Sequence, residues 1–366
     1  KDYSLSYILS AKNSYLSKTS TSIYSYMNKE LPYDYLDLYG KLTLATDNGS
    51  KINIFGLNFT DKVNQYEAIQ NFNWVNRAFG TNFLIIPGTS SALVEGVIAY
   101  SDYTMNMNET TTNQNQMSNI GGFNVGMSVT NFFGDDRLKY GMEMEGNTTK
   151  TSYKINDTII DYSTEIGLYA IYKLLYRNVL VEPSLRLSYY ASLGDVFLEP
   201  RLSAKWNVTK KFRFKLASGM YSQTFLDTKS DRDIVNLFTG YLTVTPDLNI
   251  VDSFRGNPIN SYVQTSNHFI FGAEYDILRN FNLNVELYYK TMSNLTSINR
   301  DKLYADDQEH IEKPGYLRKE YTVENGKAYG ADFSLKYDDG RLYVWTIYSL
   351  GKVIREGEMQ TYAPHY

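Results

Sequence analysis

Apolar and polar side chains alternate along Phe281–Lys290. Phe281, Leu283, Val285, Leu287 and Tyr289 fall on one side of an extended chain, and Asn282, Asn284, Glu286 and Lys290 on the other. A strand sends successive side chains to opposite faces, whereas a helix would scatter these apolar residues round its axis. The same two-faced pattern recurs in Val181–Tyr189 and in Leu198–Trp206, where Leu198, Pro200, Leu202, Ala204 and Trp206 oppose Glu199, Arg201, Ser203 and Lys205. A sheet of many such strands has an apolar face and a charged face. Either a water-soluble sandwich or a closed membrane barrel with its apolar side outward would accommodate it.

The connections favour the barrel. Asp47–Ser50 and Asp338–Gly340 carry the Asn-Gly and Asp-Gly chemistry of tight hairpins, and Pro87–Ser90, Gly134–Asp136, Leu175–Asn178, Asn207–Lys210 and Leu278–Asn280 read the same way. Between them lie longer, polar, irregular stretches: Met105–Asn119, Gly146–Asp161, Thr224–Thr265 and Met292–Glu320. Short turns alternating with long loops are the mark of an outer-membrane barrel. The marks delimit roughly 16 strands of about 9–14 residues, the length a tilted membrane strand requires. Sandwich strands are nearer 5–6 residues. The fold expected is therefore an all-β, transmembrane antiparallel β-barrel occupying residues 1–366 as one domain, with no helix of consequence and only an apparent turn near Ser14–Lys18.

Composition narrows this further. Thirty-four tyrosines and 18 phenylalanines suit the aromatic girdles of a membrane barrel. The net charge of -4, from 36 basic and 40 acidic residues, is too balanced to suggest a nucleic-acid partner. There are no cysteines, so disulfide scaffolds and thiolate metal sites are excluded.

Tyr321–Leu350 carries a more specific pattern: Asn325-Gly-Lys-Ala-Tyr-Gly330, Asp338-Asp-Gly-Arg-Leu342, Trp345 and Tyr348-Ser-Leu350. With Tyr35-Leu-Asp-Leu-Tyr-Gly-Lys41, Phe72-Asn-Trp74, Glu182-Pro-Ser-Leu-Arg186, Tyr221-Ser-Gln223 and His268-Phe-Ile-Phe-Gly-Ala-Glu-Tyr275, in this order and spacing, it resembles the barrel of TonB-dependent outer-membrane receptors, Bacteroidota type. The resemblance implies a bacterial outer-membrane location, a barrel of about 22 strands around a plug, and import of a scarce nutrient driven by TonB–ExbB–ExbD. It implies outer-membrane lipids as surroundings, and a surface lipoprotein or other outer-membrane subunits as further partners. The stretch from Lys1 to Tyr366 lacks the plug and the last strands of that pattern, so a gap in the wall is expected. Iron chelate, glycan, peptide and cobalamin all remain open as cargo. A structural subunit of an outer-membrane complex and a passive 16-stranded porin are the alternatives.

Candidate binding residues follow from position. The longest connection, Thr224–Thr265, reads as a lid that touches ligand through Asp231, Arg232, Asp233, Tyr241 and Arg255. Phe72 and Trp74, near an outer strand end, read either as a stacking surface for a sugar or aromatic ligand or as girdle anchors. Glu182, Arg186, Glu199, Arg201, Lys205, Arg213, Lys215 and Glu286 share the polar faces of their strands, placing them in the lumen, where they pair with one another or dock a plug. Asp306–Glu312 gathers carboxylates and His310 without the spacing of a calcium loop. His268 has no nucleophile beside it, so neither metal nor cofactor nor catalysis is expected.

Overall fold

The computed structural model describes residues 3–364 except 27, 64–70, 89–90, 110–113, 155–156, 228–239 and 279. The chain runs β1 (Tyr3–Asn13), α1 (Leu16–Ile23), β2 (Tyr33–Thr46), β3 (Lys51–Val63), β4 (Asn71–Ile85), β5 (Ala92–Glu109), β6 (Gln114–Phe133), β7 (Asp136–Lys154), β8 (Asp157–Tyr176), β9 (Val179–Tyr190), β10 (Asp195–Asn207) and β11 (Phe212–Gln223). A long connection follows, holding the short strands β12 (Phe225–Asp227), β13 (Tyr241–Thr243), β14 (Ser253–Phe254) and β15 (Asn257–Pro258). Then come β16 (Gln264–Leu278), β17 (Phe281–Ile298), α2 (Gly315–Arg318), β18 (Tyr321–Asp338), β19 (Tyr343–Glu356) and β20 (Thr361–Tyr362).

Sixteen of these strands form one sheet in chain order, β1 to β11 followed by β16 to β20. Every neighbouring pair is antiparallel, as an up-and-down barrel wall requires. The tight turns sit at one end. At Gly49 and Gly340 the backbone takes φ of +85° and +84°, where any side chain would be strained. Among the described residues the sheet is not closed: β1 bonds to β2 alone, while β19 bonds to β18 and, through Arg355 and Glu356, to β20.

Three expectations need correction. Met105–Asn119 and Gly146–Asp161 are not irregular: β5 and β6 stay in register up to Glu109↔Gln114, and β7 and β8 up to Lys154↔Asp157. Wall strands accordingly reach 20 residues rather than about 14. Ladder hydrogen bonds need no apolar face, so the Asn- and Thr-rich composition of these extensions does not end the strands. Met292–Glu320 is likewise shortened, because β17 continues to Ile298 past a register shift between Met292 and Leu295. Finally, Leu16–Ile23 is an eight-residue helix, seated by the buried Ser20 hydroxyl, which accepts from the Leu31 N–H at 2.8 Å.

Strict register sorts the side chains. On one face, Trp206, Phe214 and Phe271 form a row of rings with centroids 6.1 and 5.5 Å apart. Phe281 meets Tyr337 at 4.6 Å, and Phe79 meets Tyr100 at 5.7 Å. The opposite face carries the charges. Most apolar side chains of the sheet are solvent-exposed, and the main buried cluster lies under the long connection: Leu226, Leu242, Val244, Ile250, Val251, Tyr321 and Val323.

Candidate binding site at the loop end

The long connection after β11 is fixed across the polar face of the sheet. On one side the Tyr241 N–H donates to Ser118 Oγ at 3.0 Å, and Thr151 Oγ1 donates to the Tyr241 carbonyl at 2.8 Å. Thr245 Oγ1 donates to Asp161 Oδ1 at 3.1 Å. On the other side Asn249 and Val251 exchange backbone hydrogen bonds with Tyr321 at the start of β18. The connection therefore spans from β6–β8 to β18, with its apolar residues facing inward onto Ile159 and Ile298. Burial of that cluster supplies the driving force, at about 25 cal/mol per Å² removed from water.

Beside Tyr241 the upper ends of β4 and β5 build an apolar patch on the same polar face. Phe72 and Trp74, two residues apart on β4, stack at 5.4 Å with planes 9° apart. Register sets Phe72 opposite Met107 and Trp74 opposite Met105, and both methionines are buried. Tyr103 completes the patch and meets the Tyr241 ring edge-on at 6.2 Å. Phe72 and Trp74 stand on the face opposite Phe79, away from the aromatic row of the apolar face. Phe72, Met105 and Met107 are buried, and the half-buried Trp74, Tyr103 and Tyr241 form the part of the patch that a flat or apolar group can reach.

Lower on the polar face the charges form pairs. Arg186 reaches Glu143 at 2.7 Å and Glu165 at 3.0 Å. Arg201 meets Glu199 at 2.6 Å, and Glu199 is only 3% exposed. It also accepts from Ser222 Oγ, which touches the Tyr190 hydroxyl. Arg213 contacts Glu274 and Asp276, each at 2.8 Å, and Lys215 reaches Glu274 at 2.6 Å. Glu182 faces Arg137 at 3.5 Å, Glu286 accepts from Asn284 at 3.1 Å, and Lys205 lies opposite Lys215 in register.

The remaining candidates fare differently. Asp231, Arg232 and Asp233 lie outside the described residues. Arg255, at φ +49° in the β14–β15 turn, is committed to structure: its guanidinium donates to the Gly357 carbonyl at 2.8 and 3.1 Å, and its N–H donates to Glu358 at 2.6 Å. Asp306 is held by Arg318, by Lys319 and by Asn249, and Asp307 caps His310, so this acidic run serves to fold its own loop. Lys319 foremost, then Asn249 and Arg318, hold the Asp306 carboxyl down to about 2. His268 packs its ring 4.7 Å from Tyr221, whose other side lies under the Arg201 guanidinium at 4.4 Å.

The partners Met105, Met107, Ser118, Thr151, Glu143, Glu165 and Glu274 were not singled out from sequence. Each is identified only by strand register, which sets residues far apart in the chain side by side.

No family model matches this sequence. Comparison with curated proteins likewise finds no match. Solved structures do resemble its fold, and they are receptors and transporters. The FrpB iron transporter of Neisseria meningitidis superposes with a TM-score of 0.66 at 11% identity, covering 99% of this chain and 57% of that one. The outer-membrane transporter YddB of Escherichia coli gives 0.61 at 12% identity, covering 96% and 53%. The ferric enterobactin receptor PfeA of Pseudomonas aeruginosa gives 0.62 at 10%, covering 90% and 56%. The chain thus has the fold of the outer-membrane receptor barrel and spans about half the length of the structures it matches.

Proposed function

We propose that this chain forms most of the barrel wall of a TonB-dependent receptor in the bacterial outer membrane, which imports a scarce nutrient. The observation that carries this reading is the long connection fixed across the polar face from Ser118 and Thr151 to Tyr321, a lid over a lumen rather than an outward loop. The apolar face meets lipid, and the polar face lines the lumen. Open backbone edges in hydrocarbon cost several kcal/mol for each unsatisfied group, so the edges of β1 and β19 are to be joined by further strands. A plug inside the wall, contacted by TonB–ExbB–ExbD, would supply gating and energy. Passive 16-stranded closure is disfavoured by the same unjoined edges.

Trp74, Tyr103 and Tyr241 are the residues proposed to meet cargo, with Phe72, Met105 and Met107 supporting them from below. A cargo with a flat or apolar face suits them, which leaves iron chelates with aromatic groups and cobalamin ahead of simple sugars. Ion pairs such as Arg213–Glu274 face the plug across water. The test is uptake by cells expressing the complete reading frame, with and without TonB. Import that needs TonB and drops with Trp74→Ala supports the reading. Equal entry without TonB would show a passive pore.

A further inference from the structure

We propose that Asp161 is a proton-operated latch: its neutral carboxyl lets the long connection seat on the wall, and its ionised carboxylate loosens it. This rests on reading that connection as a lid, and it is independent of which cargo lies beneath. Asp161 is the fifth residue of the 20-residue β8, at the loop end. A tilted strand crosses the membrane in about 9–11 residues, so this end stands clear of lipid. Asp161 is nonetheless only 8% exposed, because the connection covers it. Thr149 faces it across the β7–β8 ladder, and Thr245 of the connection donates to its Oδ1 at 3.1 Å. Thr243 precedes Thr245 by two residues, and both Thr149 and Thr243 are fully buried.

The surroundings of this carboxyl suit a proton better than a charge. Asp161 Oδ2 is buried with no hydrogen-bond partner among the described residues, and the same holds for Thr149 Oγ1 and Thr243 Oγ1. Lower on the same face, Glu143 and Glu165 each meet the Arg186 guanidinium. Asp161 meets one neutral hydroxyl instead. The charged groups of the adjoining elements do not help it. Lys150 of β7 stands on the opposite face, in register with Ile160. Glu165, on the same face of β8, is engaged by Arg186, and the connection brings Asp247, whose negative charge opposes ionisation. Burial foremost raises the Asp161 carboxyl above its ordinary 3.8; the Thr245 bond lowers it, and Asp247 raises it again. A buried carboxylate without a counter-charge is costly, whereas the neutral acid still accepts from Thr245 and needs none. A metal ion would need more carboxylate oxygen than this, and among the described residues no three acidic or histidine side chains gather to supply it.

A carboxyl raised on closure holds its proton in the seated state. Seating is therefore strongest at low pH and weakens as pH rises from 3.8 through the raised value. The readout is hydrogen exchange of the full chain in detergent micelles, taken as protection factors within residues 241–248, which divide out the intrinsic pH dependence of exchange. The N–H groups of Tyr241 and Val244, bonded to Ser118 Oγ and to the Thr224 carbonyl, report seating. Between about pH 5 and about pH 9, where Asp306 stays ionised, protection should fall by up to about tenfold per pH unit within the titration. Asp161→Asn, neutral throughout and still able to accept from Thr245, should stay protected at every pH, with heat-modifiable gel migration checking that it keeps its barrel. A fall that persists in Asp161→Asn, or protection that EDTA abolishes, would overturn the proposal. A flat, protected wild-type profile would overturn the latch and leave the lid in place, whereas amides unprotected at every pH would overturn both.

Discussion

The backbone N–H of Tyr241 donates to the hydroxyl of Ser118, 3.0 Å away and 123 residues earlier in the chain. Thr151 grips the carbonyl of the same residue at 2.8 Å. One peptide of the long connection is therefore held at both its polar groups by two side chains of the wall, both fully buried.

Removing these grips should free the connection without opening the wall. Ser118→Ala with Thr151→Val is expected to cost about 1–3 kcal/mol locally, two hydrogen bonds at the usual net value. Limited proteolysis within residues 224–263 should accelerate, while the heat-modifiable migration of the barrel stays as it was. An unchanged cleavage rate would show that the apolar cluster around Leu242 alone holds the connection.

Facing is open to chemical labelling. Val285→Cys should react with a lipid-confined maleimide and Glu286→Cys with a water-soluble one, because the two residues point to opposite faces in register with Phe333 and Asp332. A reversed pattern would mean a one-residue slip and would exchange wall and lumen for the whole sheet.

Glu274 joins Arg213 and Lys215. Glu274→Ala would leave two neighbouring cations without their shared carboxylate. The barrel is expected to lose about 1–3 kcal/mol of stability, read as earlier unfolding in urea. Glu274→Gln should lose less, since it still accepts a hydrogen bond. Equal losses would mean that charge is irrelevant at this position.

Asp306 should make one loop acid-sensitive. Its carboxyl titrates at about 2 when folded, against 3.8 unperturbed, because Lys319, Asn249 and Arg318 bind the charged form. A depressed carboxylate stabilises the fold above its unfolded value, and that contribution fades as pH falls through the window from 3.8 to about 2. Protease access to residues 299–320, assayed with pepsin, should rise across that window. Asp306→Asn should show the raised access already at its upper edge and a flat response below it.

Proteolysis also tests sidedness. A protease added to intact cells is expected to cut within residues 224–263 before it cuts at Asp338–Gly340, since the two lie at opposite ends of the strands. The reverse order would turn the barrel over and with it the direction from which cargo arrives.

The alternation at Phe281–Lys290 and the glycine turns at Asn48–Gly49 and Asp339–Gly340 determine a two-faced antiparallel sheet before any contact is known. A strand has period 2, and a tight hairpin needs φ above zero. Sequence also placed Phe72 and Trp74 at a loop-end strand terminus, but left open whether they face lipid or lumen. Only register decided it, by setting them beside Met107 and Met105 on the face opposite Phe79. The long reach of β5–β8 was not read from sequence, because these Asn- and Thr-rich strand ends lack the wall's apolar face; their backbone ladders carry them on, and Ser118, Thr151 and Asp161 tie them to a connection distant in the chain. Arg255, a loop candidate by position, donates to the Gly357 carbonyl, a pairing 102 residues apart that local sequence does not encode. Local chemistry thus fixes which way each side chain points on its own strand. Which side chains then meet depends on strand order and stagger, which only the assembled sheet supplies.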